Sequence, residues 1–265
     1  MKVNGKVVLI TGAGSGMGRE MTLELVRRGA TVVALDIRAE TLQETISLAH
    51  LSEKKIIPIT IDITNREEVE SLPQRVREAA GDIDILINNA GIIQPFVKIN
   101  DLALKDAERV MNVNFYGPLT LIKAFLPTLL SRPQAHILNV SSMGAYAPVP
   151  GQSLYGASKA ALKLLTEGLR SELLDTNVGV TVAFPGAVAT NISANSGISI
   201  SVDQSSQPMK ALPADQAART MIDAIEAGKA RVTVGPDATM MDRLSRLNPV
   251  FAANLIYKRM KSLLP

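Results

Sequence analysis

The chain has 265 residues, 46% hydrophobic and 20% charged, with 3% aromatics, no Trp and no Cys. That length can bury a full α/β core, and a core short of aromatics suits a parallel sheet of Ile, Leu, Val, Ala and Met. The missing Cys excludes disulfides, thiolate metal sites and cysteine nucleophiles. The two distant histidines, His50 and His136, argue against a histidine-rich metal site, and a net charge of +3 is too small to argue for nucleic acid.

The N-terminal apolar run, Val7 to Ile10, is too short for a signal h-region. No apolar stretch approaches the ~20 residues of a spanning helix. The expectation is therefore a cytoplasmic protein without an integral membrane segment, a metal or a nucleic-acid partner. Strand-like runs follow at Val7–Thr11, Thr31–Leu35, Ile56–Ile61, Ile83–Asn88, His136–Ser141, Val178–Phe184 and Arg231–Val234. Helical patterns alternate with them at Gly16–Arg28, Ala39–Leu51, Arg66–Ala80, Leu102–Leu130, Ser153–Asp175 and Pro213–Ala227. This rhythm predicts a Rossmann-type α/β fold. Its doubly wound parallel sheet, of about seven strands, is flanked by helices in a single domain spanning 1–265. Residues 187–212, rich in Ser, Asn, Gly and Gln, break the rhythm; they read as a flexible substrate lid or as a plain surface loop. Residues 237–265 form an amphipathic C-terminal extension. From Met240 onward five bases face one acid, for a net +4, so the body before it carries −1. A helix over Val250–Leu264 either touches a membrane surface peripherally or covers the core or a subunit interface.

The first strand runs straight into Thr11-Gly12-Ala13-Gly14-Ser15-Gly16-Met17-Gly18 and then a helix. Glycine there permits a tight turn and a close backbone approach to a pyrophosphate, and the helix N-terminus offers N–H groups to phosphates. Asp36, 18 residues after Gly18, can accept the ribose hydroxyls of an adenosine and repels a 2′-phosphate, which favours NAD over NADP. Arg19 and Arg38 pull the other way, and an Asp after a strand can also cap the next helix. Asp62 with Ile63, and Asn89-Ala90-Gly91, end two further strands at the same edge, as ligand contacts or as turn chemistry. Tyr155 and Lys159 stack four apart on one predicted helix face. An ammonium beside a phenol lowers its pKa toward a useful range, although such pairs often only pack.

The pieces TGAGSGMG at 11–18, NNAG at 88–91, NVNF at 112–115, NVSS at 139–142, YGASK at 155–159 and PGAVAT at 185–190 stand in one order. In that set the chain resembles the short-chain dehydrogenase/reductase family, over about residues 5–235. The resemblance implies an oxidoreductase that moves a hydride between NAD and a small-molecule alcohol or ketone, working as a homodimer or homotetramer. It implies a catalytic set of Asn114, Ser142, Tyr155 and Lys159. In that set Ser142 orients the substrate oxygen, Tyr155 exchanges its proton, Lys159 binds the nicotinamide ribose, and Asn114 loosens its helix and holds a relay water. Cofactor contacts are implied at Gly12, Ser15, Gly16, Met17, Gly18, Asp36, Asp62, Ile63, Asn89, Ala90, Gly91, Tyr155, Lys159, Pro185, Gly186, Val188 and Thr190. Gln94, Pro95, Phe96, Met143, Tyr146, Gln152 and Val188–Met209 are candidates for the substrate pocket. Competing readings are a sugar-nucleotide epimerase or dehydratase, which usually carries a larger substrate domain, and a non-catalytic NAD-binding regulator, which needs no proton donor.

Overall fold

The computed structural model describes residues 1–190, 192–198, 211–261 and 264. Seven aliphatic runs become strands: β1 (Val7–Thr11), β2 (Thr31–Asp36), β3 (Ile56–Thr60), β4 (Ile85–Asn88), β5 (Ala135–Val140), β6 (Val178–Pro185) and β7 (Arg231–Val234). They form one parallel sheet in the order β3-β2-β1-β4-β5-β6-β7. The order reverses between β1 and β4, and this switch point is where open α/β sheets leave a crevice at the carboxyl ends of their strands.

The helices are α1 (Gly16–Arg27), α2 (Ala39–Leu48), α3 (Arg66–Ala80), α4 (Leu104–Met111), α5 (Gly117–Ser131), α6 (Ser153–Glu172), the short α7 (Ile192–Asn195), α8 (Ala214–Glu226), α9 (Pro236–Leu247) and α10 (Pro249–Met260). Side chains alternate across each strand, so the sheet feeds two cores. Val8 and Ile10 pack with Met21, Leu25, Met221 and Ile225 of α1 and α8. Leu9 packs on the other face with Leu72, Leu121, Phe125 and Leu169 of α3, α5 and α6. Burying a side chain of this size contributes roughly 1.5–3 kcal/mol. The near-absence of aromatics therefore costs the core little.

One expectation is corrected. The stretch read as one helix over Leu102–Leu130 is two helices joined by a π-helical turn at Asn112–Tyr116. The helix expected from Val250 stands as α10, ending at Met260, and α9 precedes it, so the tail holds a helical hairpin. Asn248 ends α9 and caps α10, its Oδ1 accepting from Phe251 N at 2.9 Å, and Pro249 fills the first helical turn. The hairpin closes over a third small core of Met143, Ala147, Ala238, Met241, Ala252 and Ile256. Among the described residues, no helix is long and apolar enough to cross a membrane.

At the amino ends of the strands, Asp84 is buried. Its Oδ2 accepts from Val7 N at 3.0 Å, and its Oδ1 accepts from Arg132 Nε at 3.0 Å and Nη2 at 2.9 Å. This ion pair stands beyond the opposite edge of the sheet from the crevice. It joins the start of β1 to the end of α5.

Candidate functional site

A cleft of about 610 Å³ opens over the switch point. Gly12, Ser15, Gly16, Met17 and Gly18 line it from the β1–α1 turn, Asp36 and Arg38 from β2, Asp62, Ile63 and Thr64 from β3, and Asn89, Ala90 and Gly91 from β4. Thr190, Ile192 and Asn195 close it from above. The strand ends picked out in the sequence thus converge on one wall.

The glycine turn is held from several sides. Gly12 has φ +69°, and a Cβ there would meet Asn89 Nδ2 and the Ala90 backbone at 3.0–3.1 Å. A Cβ on Gly18 would strike the Gly12 carbonyl oxygen, so only glycine lets α1 pack so near the turn. Ser15 stands at the N-cap of α1, yet its side chain caps nothing. The first-turn N–H groups of α1 are left facing the cleft, an arrangement that attracts anions.

Asp36 is buried and anchors the turn: Oδ2 accepts from Gly14 N at 2.9 Å and Oδ1 from Arg38 N at 3.1 Å. It is not the N-cap of α2; Arg38 is. The two arginines raised as phosphate partners are both engaged. Arg19 donates to the Gly14 carbonyl and pairs with Glu44 at 2.6 Å, and Arg38 donates to Asn195 Oδ1 at 2.9 Å. Asp62 Oδ1 accepts from the backbone and hydroxyl of Thr64 at 2.9 and 2.8 Å, so it shapes the turn as well as lining the cleft.

The four residues expected to be catalytic gather behind this wall. Asn114 sits fully buried in the π-turn. Its Oδ1 accepts from Ile92 N at 2.9 Å, while Nδ2 donates to Ile92 O at 2.9 Å and Ser158 Oγ at 3.0 Å. Lys159 Nζ donates to the Val140 carbonyl at 3.0 Å. A Cβ on Gly91 would lie 3.0 Å from Lys159 Nζ and 3.3 Å from Asn114 Oδ1. Gly91 also lines the cleft, so it is where cleft and polar cluster touch. Ser142 Oγ accepts from Gly144 N at 3.0 Å, and the Cβ position of Gly144 lies 3.4 Å from both that oxygen and the Tyr155 ring, so the three stand together.

Burial sets the electrostatics. It lowers Lys159 to about 8. It raises the half-buried Tyr155 phenol above its ordinary value, with the Ser142 hydroxyl pulling the other way. Spacing alone led to the opposite expectation, of a phenol lowered by its neighbouring ammonium. Within the protein's own groups desolvation wins, and the Lys159 ammonium is turned to a carbonyl.

Other expected contacts lie elsewhere. Pro185 ends β6; the space a Cβ would take at Gly186 is filled by the Asp237 carboxylate, which also accepts from Ala187 N at 2.7 Å. Val188 bridges to Leu212 and packs on the core. None of the three lines the cleft, whereas Thr190 does, against Gly16. The substrate-pocket candidates are largely structural. Tyr146 donates to the Ala238 carbonyl at 2.9 Å, Met143 is buried in the third core, and Gln152 donates to the Gln94 carbonyl at 2.7 Å. Positions 191 and 199–210, half of the expected lid, lie outside the described residues. The described part includes α7, whose Asn195 donates to Ser15 Oγ at 2.9 Å.

Three supporting roles escaped the sequence reading, including that of Gln94, which stands in the sequence only as a pocket candidate. Thr11 Oγ1 accepts from Asn89 N and Ala90 N, both at 3.0 Å, joining β1 to the β4 end. Asn195 links the cleft's upper edge to the glycine turn and to Arg38. Gln94, 60 residues before Leu154, caps α6 from outside. Its Oε1 accepts from Leu154 N at 2.8 Å and Tyr155 N at 3.0 Å, and its Nε2 donates to Gly151 O at 2.9 Å. No local signal marks these three, because each acts across the fold.

Comparison with known proteins agrees with this geometry. The sequence profile of the family described as short chain dehydrogenase matches residues 6–199. A Mycobacterium tuberculosis protein named as an oxidoreductase, SadH, is 34% identical over 92% of this chain and 91% of its own length. A short chain dehydrogenase from Burkholderia cenocepacia, solved in complex with NADP, superposes with a TM-score of 0.81. It is 30% identical, over 97% of this chain and 99% of its own. A short chain dehydrogenase/reductase from Burkholderia phymatum, solved with NAD, gives a TM-score of 0.84 at 26% identity, over 95% and 96%.

Proposed function

The chain belongs to the short-chain dehydrogenase family, and from that premise we propose an NAD-dependent oxidoreductase that interconverts a secondary alcohol and its ketone, or a primary alcohol and its aldehyde, with Tyr155 as acid/base. One observation carries the reading: Asn114 and Lys159 meet at Gly91, the point where the cleft touches the cluster holding Ser142 and Tyr155.

The cleft suits a dinucleotide. The uncapped first turn of α1 fits the phosphates, and Asp36 fits the ribose hydroxyls. The Asp36 carboxylate would repel a 2′-phosphate, and Arg19 is held by Glu44 and Gly14 rather than offered to one. This favours NAD. The two Burkholderia relatives carry one cofactor of each kind, so the choice rests on the carboxylate.

A bound NAD supplies the hydride acceptor for oxidation, and its reduced form the donor. Tyr155, kept protonated by burial, gives its proton to the substrate oxygen in reduction and takes it back in oxidation. The Ser142 hydroxyl orients that oxygen and stabilises charge where it develops. Lys159 holds a positive charge one helical turn from the phenol and favours the phenolate that forms. Asn114 fixes the Ile92 backbone and Ser158 and so keeps the wall in place. The same reading takes the protein as a cytoplasmic homo-oligomer, a dimer or a tetramer.

The test uses purified full-length protein, NAD or NADP, and a panel of alcohols and ketones, followed by NADH or NADPH absorbance. Turnover should prefer NAD. Tyr155→Phe should abolish it while NADH still binds in a fluorescence titration. A Tyr155→Phe variant with wild-type kcat would overturn the assignment.

A further inference from the structure

The hairpin of α9 and α10 has one side committed and one side bare. Ala238, Met241, Ala252 and Ile256 face inward onto the third core. The other side exposes Met240, Leu247, Val250, Phe251 and Tyr257, with Leu247 85% and Val250 69% exposed. Leu247, Val250 and Phe251 cluster at the corner between the two helices.

Cations flank this corner along the two helices: Arg243 one turn before Leu247 on α9, and Lys258, Arg259 and Lys261 in the last turn and at the end of α10. Arg243, Lys258, Arg259 and Lys261 are exposed and enter no ion pair among the described residues. The one acid after Met240, Asp242, is already held by Arg231 at 2.7 Å and by Arg246 at 3.2 Å. The hairpin is therefore apolar at its tip and carries unpaired bases along its length.

We propose that this hairpin docks the protein on an anionic lipid bilayer. Leu247, Val250 and Phe251 reach below the headgroups, while Arg243, Lys258, Arg259 and Lys261 pair with lipid phosphates and carboxylates. Charge decides against a second copy of the chain: a two-fold contact here would set four unpaired cations against four more, which is repulsive. Self-association has other apolar surface to use, such as Leu104 and Leu164, 80% and 68% exposed. The proposal does not depend on the catalytic assignment. It does place the site near the membrane. Tyr146 bonds α9 at Ala238, and Leu264 lies 3.0 Å from the Cβ position of Gly151, beside the start of α6.

The experiment mixes full-length protein with vesicles of phosphatidylcholine alone, or of phosphatidylcholine and phosphatidylserine in equal parts, and sediments them. Binding is expected only to the anionic vesicles, and it should fall as salt rises. The double charge reversal Lys258→Glu/Arg259→Glu and the tip variant Leu247→Glu/Phe251→Glu should each weaken it, the former by at least tenfold. All four side chains are exposed, so thermal unfolding should be unchanged. The chain has no Trp, so Phe251→Trp adds a single reporter whose emission should shift to the blue on anionic vesicles alone. Three results would overturn the proposal: equal sedimentation with both vesicle types, a reporter blind to lipid, or a tip variant whose main effect is to split an oligomer in analytical ultracentrifugation. Capture of an acidic soluble protein by the wild type without vesicle binding would do the same.

Discussion

Gln94→Leu should uncouple Tyr155 from its surroundings without touching the cleft. Gln94 is fully buried, and its amide makes three hydrogen bonds at the start of α6. The N-cap residue itself, Gln152, gives α6 no side-chain cap. Leucine matches glutamine in volume but strands two N–H groups and one carbonyl. A buried group left unpaired costs about 1–3 kcal/mol. Leu154 and Tyr155 are only half-buried, so the low end applies and the expected loss for the three groups is about 3 kcal/mol. The first turn of α6 then frays, and the phenol drifts from Ser142. A misplacement of about 1 Å in a reacting group can cost on the order of 100-fold in rate. We expect kcat to fall by about 10- to 100-fold while the Kd for NADH stays constant. Gln94→Glu keeps both acceptor bonds at a helix N-terminus where negative charge is favoured, and as the protonated acid it can still donate to the Gly151 carbonyl that an ionised carboxylate would repel. It should recover most of the lost kcat. Hydrogen exchange at the Leu154 and Tyr155 amides gives a second reading that needs no substrate: faster in Gln94→Leu, near wild type in Gln94→Glu. Retention of kcat within about twofold in Gln94→Leu, or equal damage from both substitutions, would refute the reasoning.

Three further outcomes are expected. His136 is buried beside Thr181, whose hydroxyl donates to the Lys229 carbonyl, so the ring must donate through Nε2 and stay neutral. Burial lowers its pKa to about 4 against 6.5 ordinarily. The unfolded chain therefore binds a proton that the folded one refuses, and stability is complete above pH 6.5 and lost progressively down to pH 4, by about 3 kcal/mol. Urea unfolding across that range should show a shallower pH slope in His136→Gln; identical slopes would remove His136 as the cause. Arg132→Met leaves the Asp84 carboxylate buried without its main partner and should destabilise by about 3 kcal/mol in the same assay. Adding Asp84→Asn should recover part of that loss, and a single variant as stable as wild type would contradict the pairing. Gly18→Ala drives a methyl into the Gly12 carbonyl, so it should cost NADH binding at least tenfold, and unchanged binding would mean the turn can yield.

Much of this architecture is legible along the chain because its causes are local. Aliphatic runs such as Val7–Thr11 can only be strands buried on both sides, and the glycines of residues 11–18 mark a turn with no room for a Cβ. The features that were misread depend on distance. The π-turn at Asn112–Tyr116 exists where Asn114 answers the backbone of Ile92, 22 residues earlier. Composition offers Gln94, Met143, Tyr146 and Gln152 only as pocket residues; the partners they also hold on other elements are set by the fold. Arg19 looks available to a phosphate until Glu44 is brought beside it. The direction of the Tyr155 shift follows the same rule: spacing identifies Lys159 as neighbour, whereas burial, which outweighs it, exists only in the folded chain.

The double grip of Asp36 on Gly14 and Arg38 bears on any attempt to re-engineer this protein. On the proposed preference for NAD, selectivity and rigidity are written into the same two oxygen atoms. Deleting the carboxylate to welcome a phosphorylated coenzyme also unties the loop meant to cradle it. A redesign that changes preference must first supply a neutral acceptor at that spot, and swapping charge alone should yield an enzyme that is indifferent rather than converted.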